Sequence, residues 1–506
     1  MKKLLVSALF VLSCTTVVQA GPFERIKGLG KDRERLTPEL LQLRLEATMD
    51  AIEFWILRQP AMQFAPNRIL EPEMWNLIEK SSRDAGIDPF VLGGLIMLES
   101  QGRPYVKSST GPLGICQFSK ALAKDLGLIE TAKQKQSKYV WVGKGKKRHK
   151  VLKYGKAVEV TVHDYRLDVN RAVPACAQWL AAGVKTYGAI DFAIQRHHNG
   201  DARLRKIISL YTGEKTTEDN AAEIVSRHNL TMAKIYFSST PYHKPELYEY
   251  MEKIRKEADS APNYFLRQGT AQRILTDFAT KPEGPELYAA RFRYFQTQFK
   301  PDGVAPNRQW YFYTPEQLQH LQFADLLAIQ NTKRLVRLPE PWNEFGIIPR
   351  LTGISSIGEK DKLNQLDYIQ AEPAIIGAML YATEEVKLLQ GDKFMAYETN
   401  SLVRSTKYQD MLSETNKNAD TVLPIHTTGK AGDFPMKGIS PARRRDMLFI
   451  LFEMDSYGMI SYVPEGKQDT IHVVVHPQWE EFFQRYYDYR TRGIRALAQL
   501  QDGHTK

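Results

Sequence analysis

Hydrophobic residues recur at helical spacing through most of the chain, and helices are predicted over Pro38–Leu57, 74–85, 89–99, 119–126 and 169–182. One run departs from the amphipathic pattern. From Phe90 to Leu98 apolar residues and two glycines stand side by side, too many and too regular for a loop, which reads as a buried helix. It ends on a carboxylate, Glu99, with Ser, Gly and Pro just beyond. Around 137–161 the period changes to two. Val140-Trp141-Val142 and Val158-Glu159-Val160-Thr161-Val162 flank a lysine-rich tip, the pattern of a hairpin insert. From 257 to 341 helical periodicity continues with aromatic content, over 288–299 and 315–329, but without a chemical motif, so this stretch is expected to be a helical connector. Pro339-Glu340-Pro341 and the glycine- and serine-rich 352–358 mark a boundary. A last domain, 342–492, contains a β-type run near its end, and 493–506 is expected to be a tail.

A chain of 506 residues suggests roughly two to four domains. The net charge of +11 favours anionic partners such as wall polymer or an acidic membrane face. No nucleic-acid motif appears, and nucleic acid is not expected among the partners. Lys2 and Lys3 precede an apolar segment from Leu4 to Leu12, and Val18-Gln19-Ala20 offers a small-residue cleavage site, so residues 1–20 read as a secretory leader. Cys14 follows Val11-Leu12-Ser13, a poor lipobox, which gives lipoprotein processing as the alternative. No other segment approaches the ~18 apolar residues of a membrane-spanning helix. Beyond the leader only Cys116 and Cys176 remain. They are expected as two buried small hydrophobes, with a disulfide open to them in an oxidising compartment.

A carboxyl set against apolar walls has its charged form disfavoured, which lifts its pKa toward the range useful to a general acid. After Glu99 come Ser108, Gly111, Gly114 and Gln117 at three-residue spacing. The glycines imply close backbone approach, and Ser and Gln add hydrogen-bonding groups beside it. Glu99-Ser100 followed by Ser108-x-x-Gly111-x-x-Gly114-x-x-Gln117 resembles the signature of the soluble lytic transglycosylase family. That resemblance implies an all-α lysozyme-like domain, here 71–256, preceded by a helical lead-in over 21–70. It implies Glu99 as the one acid/base, with Ser108 and Gln117 contacting substrate. A second carboxylate, required by most glycosidases, is not needed, because the sugar's own 6-hydroxyl attacks the anomeric carbon and leaves a 1,6-anhydromuramoyl end. Asp164-x-Arg166-x-Asp168 and the helix after it are similar to a further family segment. Where the family has Tyr-Asn-Ala-Gly, this chain has His197-His198-Asn199-Gly200, and either histidine can take the tyrosine's position, with Asn199 retained. A zinc site on this histidine pair is disfavoured, since adjacent helix residues point about 100° apart.

The last domain holds a second constellation. His426, Asp433 seven residues on, and a distant His472 on a β-type run supply three ligands with a fourth position open, the form of a catalytic zinc site. With Arg404-Ser405 and Gln409 upstream, the pattern resembles the D-Ala-D-Ala metallopeptidase family. The resemblance implies zinc on His426, Asp433 and His472, with Arg404 and Gln409 at the wall peptide; a guanidinium fork suits a carboxylate or carbonyl. The position of the family's general base, three before the final histidine, is Asp469 here rather than Glu, one methylene shorter.

The expected protein is thus multidomain: a lysozyme-like all-α domain, a helical connector and a small α+β zinc peptidase-like domain. It is expected to be exported to the periplasm and to act on peptidoglycan glycan strands and stem peptides, with cell-wall machinery as a possible recruiter. The alternative is a catalytically impaired wall-binding scaffold, suggested by the histidines for tyrosine and by Asp469.

Overall fold

The computed structural model describes residues 37–57, 59–145, 148–257, 261–297, 334–350, 365–400, 402–415, 425–465 and 469–503. The expected leader with Cys14, the helix over 315–329 and the boundary at 352–358 lie outside the described residues. The chain divides into two units, each assembled from separated segments. One combines Gln59–Met232 with Ala258–Phe292, the other Met1–Arg58, Ala233–Glu257 and Arg293–Lys506.

The expected boundaries change accordingly. Helix α1 (Pro38–Leu57), read as a lead-in to the lysozyme-like domain, belongs to the C-terminal unit. Its Ala51 lies close under Gly458 and its Phe54 meets the ring of His476 edge-on at 5.2 Å, because the apolar stripe of α1 is buried there.

In the first unit, α2 (Pro72–Ala85) begins with proline in its first turn and stops at Gly86, which is left-handed at φ 69°. Asp88 then caps α3 (Pro89–Ser100) by accepting from the Phe90 amide. Val91 to Met97 are buried without a break, so α3 is the central helix of the unit. Ser119 caps α4 (Lys120–Asp125), and the long antiparallel strands β1 (Ile129–Val142) and β2 (His149–Asp164) follow, paired from Ile129↔Asp164 to Val142↔His149. The hairpin extends beyond the expected 137–161 at both ends. Asp168 caps α5 (Val169–Tyr187), which packs on α6 (Ile190–Thr212) where Gly183 leaves room for Ala193.

After α7 (Pro245–Glu257), a helix of the other unit, the chain returns with α8 (Tyr264–Thr280) and α9 (Gly284–Thr297). α8 was expected in the connector, yet it packs along α3. A Cβ on Gly94 would stand 2.7 Å from the Gln272 amide nitrogen, and one on Gly93 2.6 Å from Leu275. The two glycines inside the apolar run are therefore the seat of α8. Gln268 donates to the Val91 carbonyl at 2.8 Å, and the Phe265 amide donates to Gln195 at 3.1 Å. Gly94→Val is expected to push α8 off α3 at a cost of about 1–3 kcal/mol, measured by urea unfolding; unchanged stability would contradict this packing.

The C-terminal unit is built on α10 (Pro373–Gln390), buried along most of its length, with α11 (Pro441–Ser456) and α12 (Glu480–Gly503). Of the expected tail over 493–506, residues 493–503 continue α12, and the rest lie outside the described residues. A Cβ on Gly377 would fall 2.0 Å from the Phe483 carbonyl oxygen, so α10 and α12 meet backbone to backbone. Strands β3 (Ala431–Pro435), β4 (Ile460–Glu465) and β5 (Thr470–Val475) form an antiparallel sheet in the order β3-β5-β4. Among the described residues no helix is long and apolar enough to cross a membrane.

Candidate active site and candidate metal centre

Glu99 lies at the C-terminal end of α3, with 16% of its side chain exposed. Burial lifts its pKa from the ordinary 4.5 to about 7, against the pull of a hydrogen bond from the Tyr264 hydroxyl to Oε1. Tyr264 is the first residue of α8, and no sequence pattern marked it as functional. Its ring is stacked on His198, with centroids 4.4 Å apart and planes 2° from parallel. The structure separates the two histidines. His197 is turned inward, its Nε2 3.8 Å from Glu99 Oε1 and its ring 5.9 Å from Phe118. Burial, helped by the neighbouring His198, lowers the His197 pKa to about 3, so that imidazole is neutral beside the acid. His198 instead lines the tyrosine. Helix α6 breaks immediately afterwards at Gly200 (φ 73°, ψ 162°), and both amide atoms of the buried Asn199 make no hydrogen bond to the described protein. Arg196 and Tyr187 both reach Asp201 at 2.8 Å and hold the break in place.

The loop after Glu99 is folded by its own signature residues. Gly114 (φ 83°) runs against Arg166, where a Cβ would meet the carbonyl oxygen at 1.9 Å. Gly111 (φ 113°) has nothing within 4 Å of its would-be Cβ and serves a turn. The close approach expected of these glycines is thus made by Gly114 alone of the two, and to the protein's own Arg166, whose guanidinium donates to the Phe118 carbonyl at 3.0 Å and pairs with Asp164 at 2.7 Å. Gln117, expected at the substrate, uses its amide nitrogen within the loop, donating to the Val106 and Gly114 carbonyls at 2.9 and 2.7 Å. Ser108 hydrogen-bonds Thr110 at 2.9 Å. Cys116 and Cys176 are both buried and free. Burial and the adjacent Cys176 push the Cys116 thiol well above its usual range.

In the C-terminal unit, His426, Asp433 and His472 converge. Asp433 and His472 face each other across the β3–β5 ladder. Asp433 Oδ1 lies 3.0 Å from His472 Nδ1 and 3.2 Å from His426 Nε2, and the two nitrogens are 3.1 Å apart. Ligands at 2.0–2.1 Å around a tetrahedral ion stand about 3.3 Å from one another, so the triad is close to the size of such a site. The Leu402 carbonyl, 2.8 Å from His426 Nδ1, accepts a hydrogen bond from the proton on that nitrogen and leaves the Nε2 lone pair free to bind a cation. Burial, then the Arg404 charge, lowers the His426 pKa to about 4, which keeps the ring neutral. Burial acts to raise Asp433, but the two imidazoles outweigh it and hold the carboxyl well below its usual range. His426 and Asp433 are buried, and His472 keeps 12% of its side chain exposed.

Three expected residues take other places. Arg404 is turned onto Asp433 Oδ2 at 3.1 Å and onto Gln409 at 3.3 Å, so its guanidinium is engaged by both. Asp469, expected as general base, precedes β5 in a left-handed conformation (φ 53°) and pairs with Arg444. Its charge is already met by that ion pair.

Comparison with known proteins bears on the unit that holds Glu99. Residues 76–140, which hold Glu99 and the loop after it, match the family model of the Transglycosylase SLT domain. The proteins named membrane-bound lytic murein transglycosylase F of Salmonella paratyphi B and Salmonella typhimurium are each 25% identical to this chain over 253 residues, and that of Salmonella arizonae is 24% identical. The similarity covers 48% of this chain and 43% of each relative, so the chain spans less than half the length of the curated relatives it matches.

Proposed function

We propose that the chain cleaves the glycan strands of peptidoglycan between N-acetylmuramic acid and N-acetylglucosamine, leaving 1,6-anhydromuramoyl ends. The observation that carries this reading is one nearly buried carboxyl, held protonated to about neutral pH, with a tyrosine hydroxyl on its oxygen. Glu99 donates its proton to the glycosidic oxygen as the bond to C1 breaks. The sugar's 6-hydroxyl adds to C1, and the Glu99 carboxylate accepts the hydroxyl proton. Between the two steps the carboxylate is anionic, and the Tyr264 hydroxyl stabilises it there. Neutral His197 fills the wall of the site without adding charge. The unsatisfied amide of Asn199 supports a contact to a polar group of the sugar, such as its N-acetyl arm.

Tyr264→Phe tests the pairing. Loss of a hydrogen bond to the charged form is expected to raise the Glu99 pKa by about one to two pH units. The alkaline limb of the pH–rate profile then moves upward while the maximal rate falls. A limb that stays in place would remove Tyr264 from the reaction.

A second reading concerns the C-terminal triad. We infer that His426, Asp433 and His472 hold a zinc ion, with Leu402 and Arg404 fixing the ligands from behind. A bound zinc supplies Lewis-acid activation of water toward an amide carbonyl of a stem peptide. The chain's own part is to keep His426 neutral and Asp433 ionised.

Both readings require delivery to the wall compartment, which the leader expected over 1–20 would provide. Mass spectrometry of intact sacculi digested with the full chain tests them together. Muropeptides one water lighter than hydrolytic products support the first, and shortened stem peptides support the second. Binding without released fragments would favour the scaffold alternative.

A further inference from the structure

The ribbon of β1 and β2 carries chemistry that neither centre uses. Between Glu130 and Glu159 there are ten lysines and arginines and no acidic residue. At the root carboxylates accompany the cations: Glu159 pairs with Lys124 at 2.7 Å, and Glu130 accepts from the Tyr165 hydroxyl at 3.0 Å. Toward the tip none does. The register sets Lys138 directly opposite Lys153 on one face, a like-charge pair that destabilises a ladder unless an anion lies over it. The other face brings together Tyr139 opposite Leu152 and Trp141 opposite Lys150, with Tyr154 next along β2. The three rings are 69%, 56% and 69% exposed, in the order Tyr139, Trp141, Tyr154. Lys150 and Arg148 stand 5.2 and 5.9 Å from the Trp141 ring centroid, so cations rim the aromatic strip.

A ribbon whose only role was to be solvated would not need three large rings in water beside a dense positive charge. Amphipathic rings partition to the boundary between headgroups and acyl chains, and lysine and arginine heads reach from there to phosphates. A neutral glycan could stack on the rings, but it would leave the opposed lysines and the uniform charge without a counterpart. We propose that this ribbon docks the chain on an anionic phospholipid surface, with its aromatic strip at headgroup depth and its cations among the phosphates. The proposal stands apart from the catalytic reading, and its test needs no turnover.

The test is flotation of the full chain with vesicles of phosphatidylcholine alone or mixed with phosphatidylglycerol, at low and high salt. Binding is expected only to the mixed vesicles, weaker at high salt. Reversal of two charges in Lys150→Glu/Lys153→Glu is expected to lower affinity at least about tenfold. Tyr139→Ser/Trp141→Ser is expected to lower it as well, and to remove the binding that survives high salt. All four positions are exposed, so the variants should melt as the parent does. No binding to mixed vesicles, or equal binding by parent and variants, would overturn the proposal. So would binding to isolated wall polymer, lost in the same variants while vesicles are ignored, which would assign the ribbon to the wall.

Discussion

Glu99→Gln is expected to give a folded protein that releases no anhydro-ended fragments from sacculi, a loss of about 10²–10⁴ in rate, and that is more stable than its parent above neutral pH. The second half follows from linkage. The folded carboxyl has a pKa of about 7, against 4.5 for the ordinary group. Between those values the native state keeps a proton that the unfolded chain has released, so stability falls as pH rises through this window and the full cost of the buried charge is present above it. Glutamine carries no such charge. At pH 8 the variant should exceed the parent by about 1–3 kcal/mol, while at pH 4 the two should nearly coincide. Denaturant unfolding across pH reads this directly. Parallel stability curves would mean that Glu99 is solvated, and the acid role would fall with them.

The second large effect belongs to the metal centre. Addition of zinc to the metal-stripped parent is expected to raise its melting point with a stoichiometry of about one per chain, and His426→Ala should abolish both. A ligand bound a thousandfold above its dissociation constant adds about 4 kcal/mol to the folded state, which is readily seen in a thermal melt. Asp433→Asn should lose zinc as well and remove the charge that Arg404 pairs with. A parent whose melting point ignores zinc would remove the metal reading and leave the glycan reading untouched.

These expectations were legible to different degrees in the amino-acid text. Glu99 was legible because an apolar run without a polar face can only be a central helix, and a carboxylate at its end is conspicuous. His426, Asp433 and His472 were legible as residue types, although their meeting depends on a cross-strand register in which Asp433 lies opposite His472. Tyr264 was not legible. It is 165 residues from its partner and begins a helix whose periodicity resembles any other. The available signal was Gly93-Gly94, since two glycines inside a buried helix announce a close neighbour without saying which helix it is. What the text did not show for Arg404, expected at the wall peptide, and Asp469, expected as general base, is that each is paired with another protein group, Asp433 in one case and Arg444 in the other. Ionic pairing of this kind is set by tertiary distance and leaves no local trace.

The interleaving of the two units bears on how the protein can be cut. A clone ending near residue 256, where the sequence suggests that the first domain closes, would discard α8. It would strip the cover from Gly94, delete the Tyr264 hydroxyl that is hydrogen-bonded to Glu99, and retain α7, which belongs elsewhere. Such a fragment should aggregate or lie inert even with every signature residue intact, and its silence would say nothing about the enzyme. A faithful excision would have to fuse 59–232 to 258–292 through a new linker.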